Sequence, residues 1–181
     1  QLNLTGNSIG AEGAKAIGEA LRVNSVLTYL NLARNDIGGY DNDDDELVST
    51  PEGPAAIADA LRVNSVLTSM DLSSNNLTGE TSYIKASKVQ GESFNVGDKV
   101  TYEGREMIVS YGKDSDGEIK MVDLTGVKAI AAALHVNSVL TTLNLSLNSI
   151  GVMGAKAIGG SLRVNSVLTE CNVRGNNLDV E

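Results

Sequence analysis

The sequence predicts an α/β solenoid of strand–turn–helix units with a small antiparallel β-module set into it. Three observations carry this expectation. A phrase of the form LxxLxLxxNxL is complete in residues 27–37, at Leu27, Leu30, Leu32, Asn35 and Ile37. It returns at Leu2, Leu4, Asn7 and Ile9, at Leu67, Met70, Leu72, Asn75 and Leu77, at Leu140, Leu143, Leu145, Asn148 and Ile150, and at Leu168, Cys171, Val173, Asn176 and Leu178. Leu2 and Leu30 are 28 residues apart, as are Leu143 and Cys171, and a fixed period of this size marks a stacked repeat. Finally, an identical connector, Asn-Ser-Val-Leu-Thr, begins at Asn24, Asn64, Asn137 and Asn165.

In the first unit Leu2 and Leu4 alternate as a short strand, and Asn7 follows in the turn. Ala14, Ile17, Ala20 and Leu21 then fall on one helical stripe, with Lys15, Glu19 and Arg22 on the other side. Gly10 and Gly13 flank the helix start, and Arg22 in the last turn complements the helix dipole.

The second unit is longer. Leu30 to Met70 spans 40 residues, 12 more than the period, and the excess lies in an acidic stretch within residues 39–52. Pro51 and Pro54 suit a helix first turn, and Ile57, Ala60 and Leu61 restore the stripe.

The third unit, from Met70 to Leu143, spans 73 residues and so carries 45 extra, roughly residues 79–123. Alternation at Val100 and Tyr102, at Met107, Val109 and Tyr111, and at Ile119 and Met121, with Glu-Gly and Asp-Ser-Asp-Gly bends, predicts at least a three-stranded antiparallel meander. Residues 83–89 are placed to close it into a small barrel. The helix resumes at Val127, Ile130, Ala133 and Leu134, and the fourth unit is uninterrupted. The expected organisation is repeats over 1–78 with an acidic loop at 39–52, a β-module over 79–123, and repeats over 124–181.

Composition narrows the function. Aromatic residues make up 3% of the chain and Trp is absent, so the interior is a thin layer of Leu, Ile, Val and Ala. A net charge of −9 argues against a nucleic-acid partner, because phosphate binding rests on Lys and Arg. It favours basic partners instead. One Cys cannot form an internal disulfide, which points to an intracellular, cytoplasmic setting, with an organelle as the alternative. No run of about 18 apolar residues suggests a membrane span. The chain begins on a strand and stops just past the fifth phrase, so it reads as a fragment of a longer array.

With the phrase and the connector in hand, the chain resembles the ribonuclease-inhibitor-like class of leucine-rich repeats, found in ribonuclease inhibitor and in the repeat arrays of NLR-type receptors. The resemblance covers the chain apart from its two insertions. It implies a right-handed horseshoe arc with parallel strands on the concave face, helices on the convex face, and protein binding as the usual task. The inserted module, through Val96 to Val109, resembles a small SH3-like barrel.

Strand residues pointing away from the core would line the concave face. Of these Tyr29, Arg34, Asp71, Glu170 and Arg174 are candidate partner-binding residues, because hot spots favour Tyr and Arg and a charged rim favours specificity. The module adds Phe94, Tyr102, Arg105 and Tyr111, since it alone concentrates aromatics. Asn7, Asn35, Asn75, Asn148 and Asn176 are expected to form a structural amide ladder that satisfies turn backbone. Asp41, Asp43, Asp45 and Glu52 have the spacing of positions 1, 3, 5 and 12 of an EF-hand loop and are candidate Ca²⁺ ligands, although Glu46 stands where that loop needs Gly. No other cofactor is expected. With one His, one Cys and no paired base the sequence shows no catalytic constellation. The expected function is a non-catalytic protein–protein interaction scaffold. The alternatives are a structural subunit fixed in a larger assembly and a Ca²⁺-responsive adaptor.

Overall fold

The structure is a computed structural model and describes residues 1–41 and 47–178. The first part of the chain runs β1 (Leu2–Asn3), α1 (Gly10–Val23), β2 (Tyr29–Asn31), β3 (Gly39–Asp41), β4 (Leu47–Ser49), α2 (Glu52–Leu61) and β5 (Ser69–Asp71). Then come β6 (Gly79–Glu80), β7 (Ile84–Lys85), a 3₁₀ turn (Ala86–Lys88), β8 (Lys99–Tyr102), β9 (Arg105–Tyr111) and β10 (Glu118–Asp123). The chain closes with α3 (Thr125–Val136), β11 (Thr142–Asn144), α4 (Gly151–Leu162) and β12 (Glu170–Asn172).

Strands β1, β2, β5, β11 and β12 form a five-stranded parallel sheet in that order. Their register puts Leu2, Leu30, Met70, Leu143 and Cys171 in one row facing the helices. The residues on either side of that row point the other way and are exposed or half-buried. Leu30, Leu32, Ile37, Met70, Leu72 and Leu143 pack with Ile57, Leu61, Ile130 and Leu134 in one continuous core. Each such side chain contributes about 1.5–3 kcal/mol by leaving water.

Polar ladders tie the units together. Asn35 Nδ2 donates to the carbonyls of Leu4 (2.8 Å), Leu32 (3.0 Å) and Ala33 (3.1 Å), while Oδ1 accepts from the Asn7 N–H (2.8 Å) and the Ile9 N–H (3.4 Å). Asn148 repeats the pattern two units on, donating to Leu72, Leu145 and Ser146 and accepting from the Asn75 N–H at 2.8 Å. The turn that makes this possible is tight: the residues either side of Asn35, Arg34 and Asp36, have φ of 56° and 55°, and Leu147 and Ser149 around Asn148 have 58° and 54°.

A second amide ladder runs at the other end of the helices. Asn64 Nδ2 donates to the Leu21 carbonyl (2.7 Å), Asn137 Nδ2 to Leu61 (2.6 Å) and Asn165 Nδ2 to Leu134 (2.6 Å). Their Oδ1 atoms accept from the N–H groups two and three residues on. Hydroxyls form a third, with Thr68 Oγ1 donating to Thr28 O, Thr141 to Thr68 O and Thr169 to Thr141 O. The unvarying connector is thus held by inter-repeat hydrogen bonds.

The helix layer departs from the expected stripe at one point. In α1 the buried residues are Ala14, Gly18 and Leu21, and Ala20 is exposed. Gly18 lies so close to α2 that a Cβ there would come within 2.7 Å of the Ala56 carbonyl oxygen. Gly18 is therefore a contact point of two helices.

Both insertions leave the repeat at the same place, directly after Ile37 and Leu77. At that position in the uninterrupted units, Gly10 and Gly151 adopt φ of 61° and 62° and turn the chain into α1 and α4. Gly38 and Thr78 do not, and the chain runs out into β3 and β6 instead. Strands β3 and β4 pair antiparallel. A second sheet, antiparallel, has the order β6-β10-β9-β8, with β7 also on β10 and Gln90 bridged to Thr101 of β8. It encloses its own cluster of Val89, Val100, Met107, Val109, Ile119 and Met121. Ile108 of β9, however, is buried in the repeat core with Val122 packed against it, so this sheet shares the core of the parallel sheet and its helices.

Two outcomes test this packing. Asn148→Ala lowers unfolding free energy by at least ~2 kcal/mol in urea melts, because buried N–H and C=O groups lose partners at about 1–3 kcal/mol each, whereas Asn7→Ala at the exposed start of the ladder changes it by less than about 1 kcal/mol. Gly18→Ala destabilises by about 1–3 kcal/mol despite alanine's higher helix propensity, since overpacking against a rigid backbone oxygen outweighs it; an unchanged melting temperature contradicts the close approach.

Candidate functional site

The open face of the parallel sheet carries two rows. Asn3, Asn31, Asp71, Asn144 and Asn172 share one register row. Each accepts through Oδ1 from the N–H two residues on, Asp71 from Ser73 at 2.8 Å and Asn144 from Ser146 at 3.1 Å. Asp71 Oδ2 also accepts from Asn144 Nδ2 at 3.0 Å. This row closes the turns after the strands, and the signal for it was an Asn or Asp at a constant place in the repeated phrase. In the other row, Tyr29, Ser69, Thr142 and Glu170 form no side-chain hydrogen bond among the described residues.

Arg34 and Arg174, both exposed, do not come together. Main-chain bonding places Arg34 level with Ser74 and Leu147, but Arg174 level with Ser73 and Ser146, one position earlier and two strands further along the sheet from Ser73.

On the antiparallel sheet the four expected residues separate. Phe94 and Tyr102 turn inward and pack against the second cluster, which removes them from a recognition surface. Arg105 Nη1 donates to the Ser49 carbonyl at 3.0 Å and lies 3.9 Å from Asp123 Oδ2. Asp123 is only 2% exposed, and it also accepts from the Thr125 N–H (2.9 Å) and the Ser49 hydroxyl (3.4 Å). Arg105 therefore ties the two insertions to the start of α3 rather than reaching for a partner.

Tyr111 is the one aromatic residue of the four left at the surface, 49% exposed. The register between β9 and β10 shifts at Lys120/Met121, and a bulge of this kind re-aims side chains. Tyr111 is thereby paired with Lys120 and meets Tyr83 edge to face, ring centroids 5.6 Å apart at 83°. Lys120 Nζ sits 4.8 Å from the Tyr83 centroid. Tyr83 was missed because it lies in no alternating run. On the same sheet, Glu80, Ser110 and Val122 face Val152 and Met153 at the start of α4 across a cleft of about 530 Å³. Ser110 Oγ donates to Glu80 Oε1 at 2.8 Å in its wall.

Among the described residues no three His, Cys, Asp or Glu side chains converge to hold a metal. Asp43 and Asp45 lie outside the described residues, and so does the side chain of Asp41. Glu52 is the exposed first residue of α2, and the flanking β3 and β4 pair as a hairpin, Tyr40 opposite Val48, where an EF-hand would have helices. Burial pushes the Cys171 thiol up from its ordinary range, which disfavours a nucleophilic thiolate. The Asp98 carboxyl is held below the usual range by the Ser93 hydroxyl and the Asn95 N–H that donate to it, a loop closure within the antiparallel sheet. No helix among the described residues is long and apolar enough to cross a membrane.

Comparison with known proteins agrees with this geometry. The profile of a family described as Leucine Rich repeat matches residues 1–18, 23–39, 63–80 and 136–159, four segments that bracket the two insertions. No curated protein matches the sequence. Among solved structures, that titled "Leiomodin-1 Actin-Binding Site 2 (ABS2)" is similar, with a TM-score of 0.58 over 95% of this chain and 68% of that one, at 20% identity. The likeness at that identity is one of fold, and the four matched segments are similar to leucine-rich repeats.

The link through Asp123 gives a measurable contrast. Asp123→Ala, which strips a buried N–H and a hydroxyl of their acceptor, costs about 2–4 kcal/mol in denaturant melts. Arg105→Ala, half-exposed and at the long end of ion-pair distance, costs about 1 kcal/mol or less; equal losses would contradict the division of labour.

Proposed function

We propose that this chain is a non-catalytic protein–protein interaction scaffold, curved as a horseshoe arc of the ribonuclease-inhibitor-like class and working inside the cell. On this reading residues 79–123 are a recognition module set between repeats 1–78 and 124–181, and the partner is a protein rather than a nucleic acid, with no cofactor needed. One observation carries it: the interior amides and hydroxyls are consumed in holding repeats together, while Tyr83 and Tyr111 stand exposed at the antiparallel sheet with the half-buried Lys120 beside them. Aromatic and cationic side chains of this kind are the types on which binding energy concentrates. The actin-binding title of the leiomodin structure supports protein binding as a task this fold can perform, and makes actin filaments a natural first probe.

A permanent structural subunit is the second reading. It is favoured by a row of exposed valines after the helices, Val23 at 84%, Val63 at 55%, Val136 at 54% and Val164 at 57%, which an assembly would cover. A Ca²⁺-responsive version would act through Asp41, Asp43, Asp45 and Glu52 and would give heat in a calorimetric titration with Ca²⁺.

Panning a phage-displayed random peptide library on the folded chain tests the scaffold reading, with light scattering to establish its size. We expect an 18.9 kDa monomer that enriches a family of peptides, and a Tyr83→Ala/Tyr111→Ala variant that binds them at least ~10-fold more weakly, equivalent to about 1.4 kcal/mol. A chain that is soluble only as large aggregates and enriches nothing overturns this in favour of the subunit.

A further inference from the structure

The outward face of the helix layer changes character halfway along the array. Counting back from the connector asparagine of each unit, Glu19 in α1 and Asp59 in α2 occupy the position held by Ala132 in α3 and Gly160 in α4. All four are exposed. The carboxylates of the first two helices sit among cations on their own helices, where Glu12 pairs with Lys15 (2.6 Å) and Asp59 with Arg62 (3.6 Å). Helices α3 and α4 contain no Asp or Glu. They keep Lys128 and Lys156 in one row and Arg163 in the other, where the imidazole of His135 takes the corresponding place in α3, all exposed. Lys128, Lys156 and Arg163 have no ion-pair partner among the described residues. A chain with a net charge of −9 thus displays a face free of carboxylates.

The space where the acids would sit is open: a Cβ at Gly160 would meet nothing within 4 Å. Beyond Arg163 and His135, Val164 and Val136 give the same face an apolar margin. Few cations on so acidic a chain do not suit a phosphate backbone, whose affinity grows with each neutralised charge. A protein segment that brings both carboxylates and apolar side chains suits it better.

Building on the scaffold reading above, we propose that the outward face of α3 and α4 docks an acidic segment of a partner protein. Its carboxylates lie over Ala132 and Gly160, in trans, where Glu19 and Asp59 lie in cis on the preceding helices. Lys128 and Lys156 flank them on one side and His135 and Arg163 on the other. The first two helices carry two carboxylates each, Glu12 and Glu19, then Glu52 and Asp59, and exclude the same segment by like charge.

The test uses the whole chain and fluorescent poly-L-glutamate. A protein of this net charge should repel that polymer, so retention depends on a local cationic face. We expect binding that weakens as salt rises, and at least ~10-fold weaker binding by Ala132→Glu/Gly160→Glu, which supplies the carboxylates in cis at exposed positions without touching the core. Thermal melts confirm that the variant is folded, and Lys128→Glu/Lys156→Glu gives the same loss from the opposite direction. Absence of binding by the parent, equal binding by parent and variants, or binding confined to phosphatidylserine vesicles or duplex DNA overturns the proposal. Peptide enrichment that persists in the Ala132→Glu/Gly160→Glu variant would then leave the scaffold reading standing alone, and absence of enrichment would remove both.

Discussion

A strand of three residues leaves most of its turn backbone unsatisfied, and in this chain the asparagine side chain supplies what the neighbouring strand cannot. Asn35 and Asn148 each bridge successive units, donating through Nδ2 to carbonyls of their own turn and of the turn before, accepting through Oδ1 from an amide of that preceding turn, and giving their own N–H to the asparagine of the next unit. The geometry demands left-handed residues on both flanks of the asparagine, and the chain accepts Arg34 and Leu147 there at about 1–2 kcal/mol of strain each. That such residues persist shows how much the ladder returns. Nearest-neighbour bonding of this kind also explains why the units are so alike in sequence: each must be both donor and acceptor to a copy of itself.

The same constraint decides where insertions are tolerated. Among the described residues between the turn asparagine and the helix, Asn76 Nδ2 and Thr78 Oγ1 bond across units near the point of exit, and residues can be added beyond it without breaking the asparagine ladder. Gly10 and Gly151 enter helices at that point, while Gly38 and Thr78 open into strands. Thr78 still anchors the third unit by donating to the Ser149 carbonyl at 2.7 Å. Because both insertions emerge from adjacent units on the same side, they meet each other, and the Arg105, Ser49 and Asp123 contacts fix them as one projecting body.

Much of the repeat architecture was legible because it depends on spacing. Leu30, Met70, Leu143 and Cys171 pair in the register their period implies, and the helical stripes of α2 and α3 fall on Ile57, Leu61, Ile130 and Leu134. What escaped is whatever depends on close approach or on a break in periodicity. Ala20 fits the helical stripe of α1 by spacing, yet Gly18 is buried instead because α2 comes too near for a side chain. Tyr111 fits the inward alternation of Met107 and Val109, yet the bulge at Lys120 turns it out to Tyr83. Phe94, Tyr102 and Arg105 carry the residue types of a binding surface, and only their packing shows that two serve a core and one a joint.

Net charge is a poor guide to what such an array binds, because a solenoid keeps its surfaces apart. In a compact domain of this size opposite faces lie close enough for a −9 total to bias every approach. Along a row of stacked helices, a screening length of about 8 Å at physiological salt is shorter than the step across a helix or so, and each unit presents its own local balance. The acids of α1 and α2 therefore do not cancel the cations of α3 and α4, where two acidic positions are lost in each helix, Glu12 and Glu52 giving way to Thr125 and Met153, and Glu19 and Asp59 to Ala132 and Gly160. Such a change leaves every ladder and every core contact intact, so the repeat can acquire a new partner surface without any change in its stability.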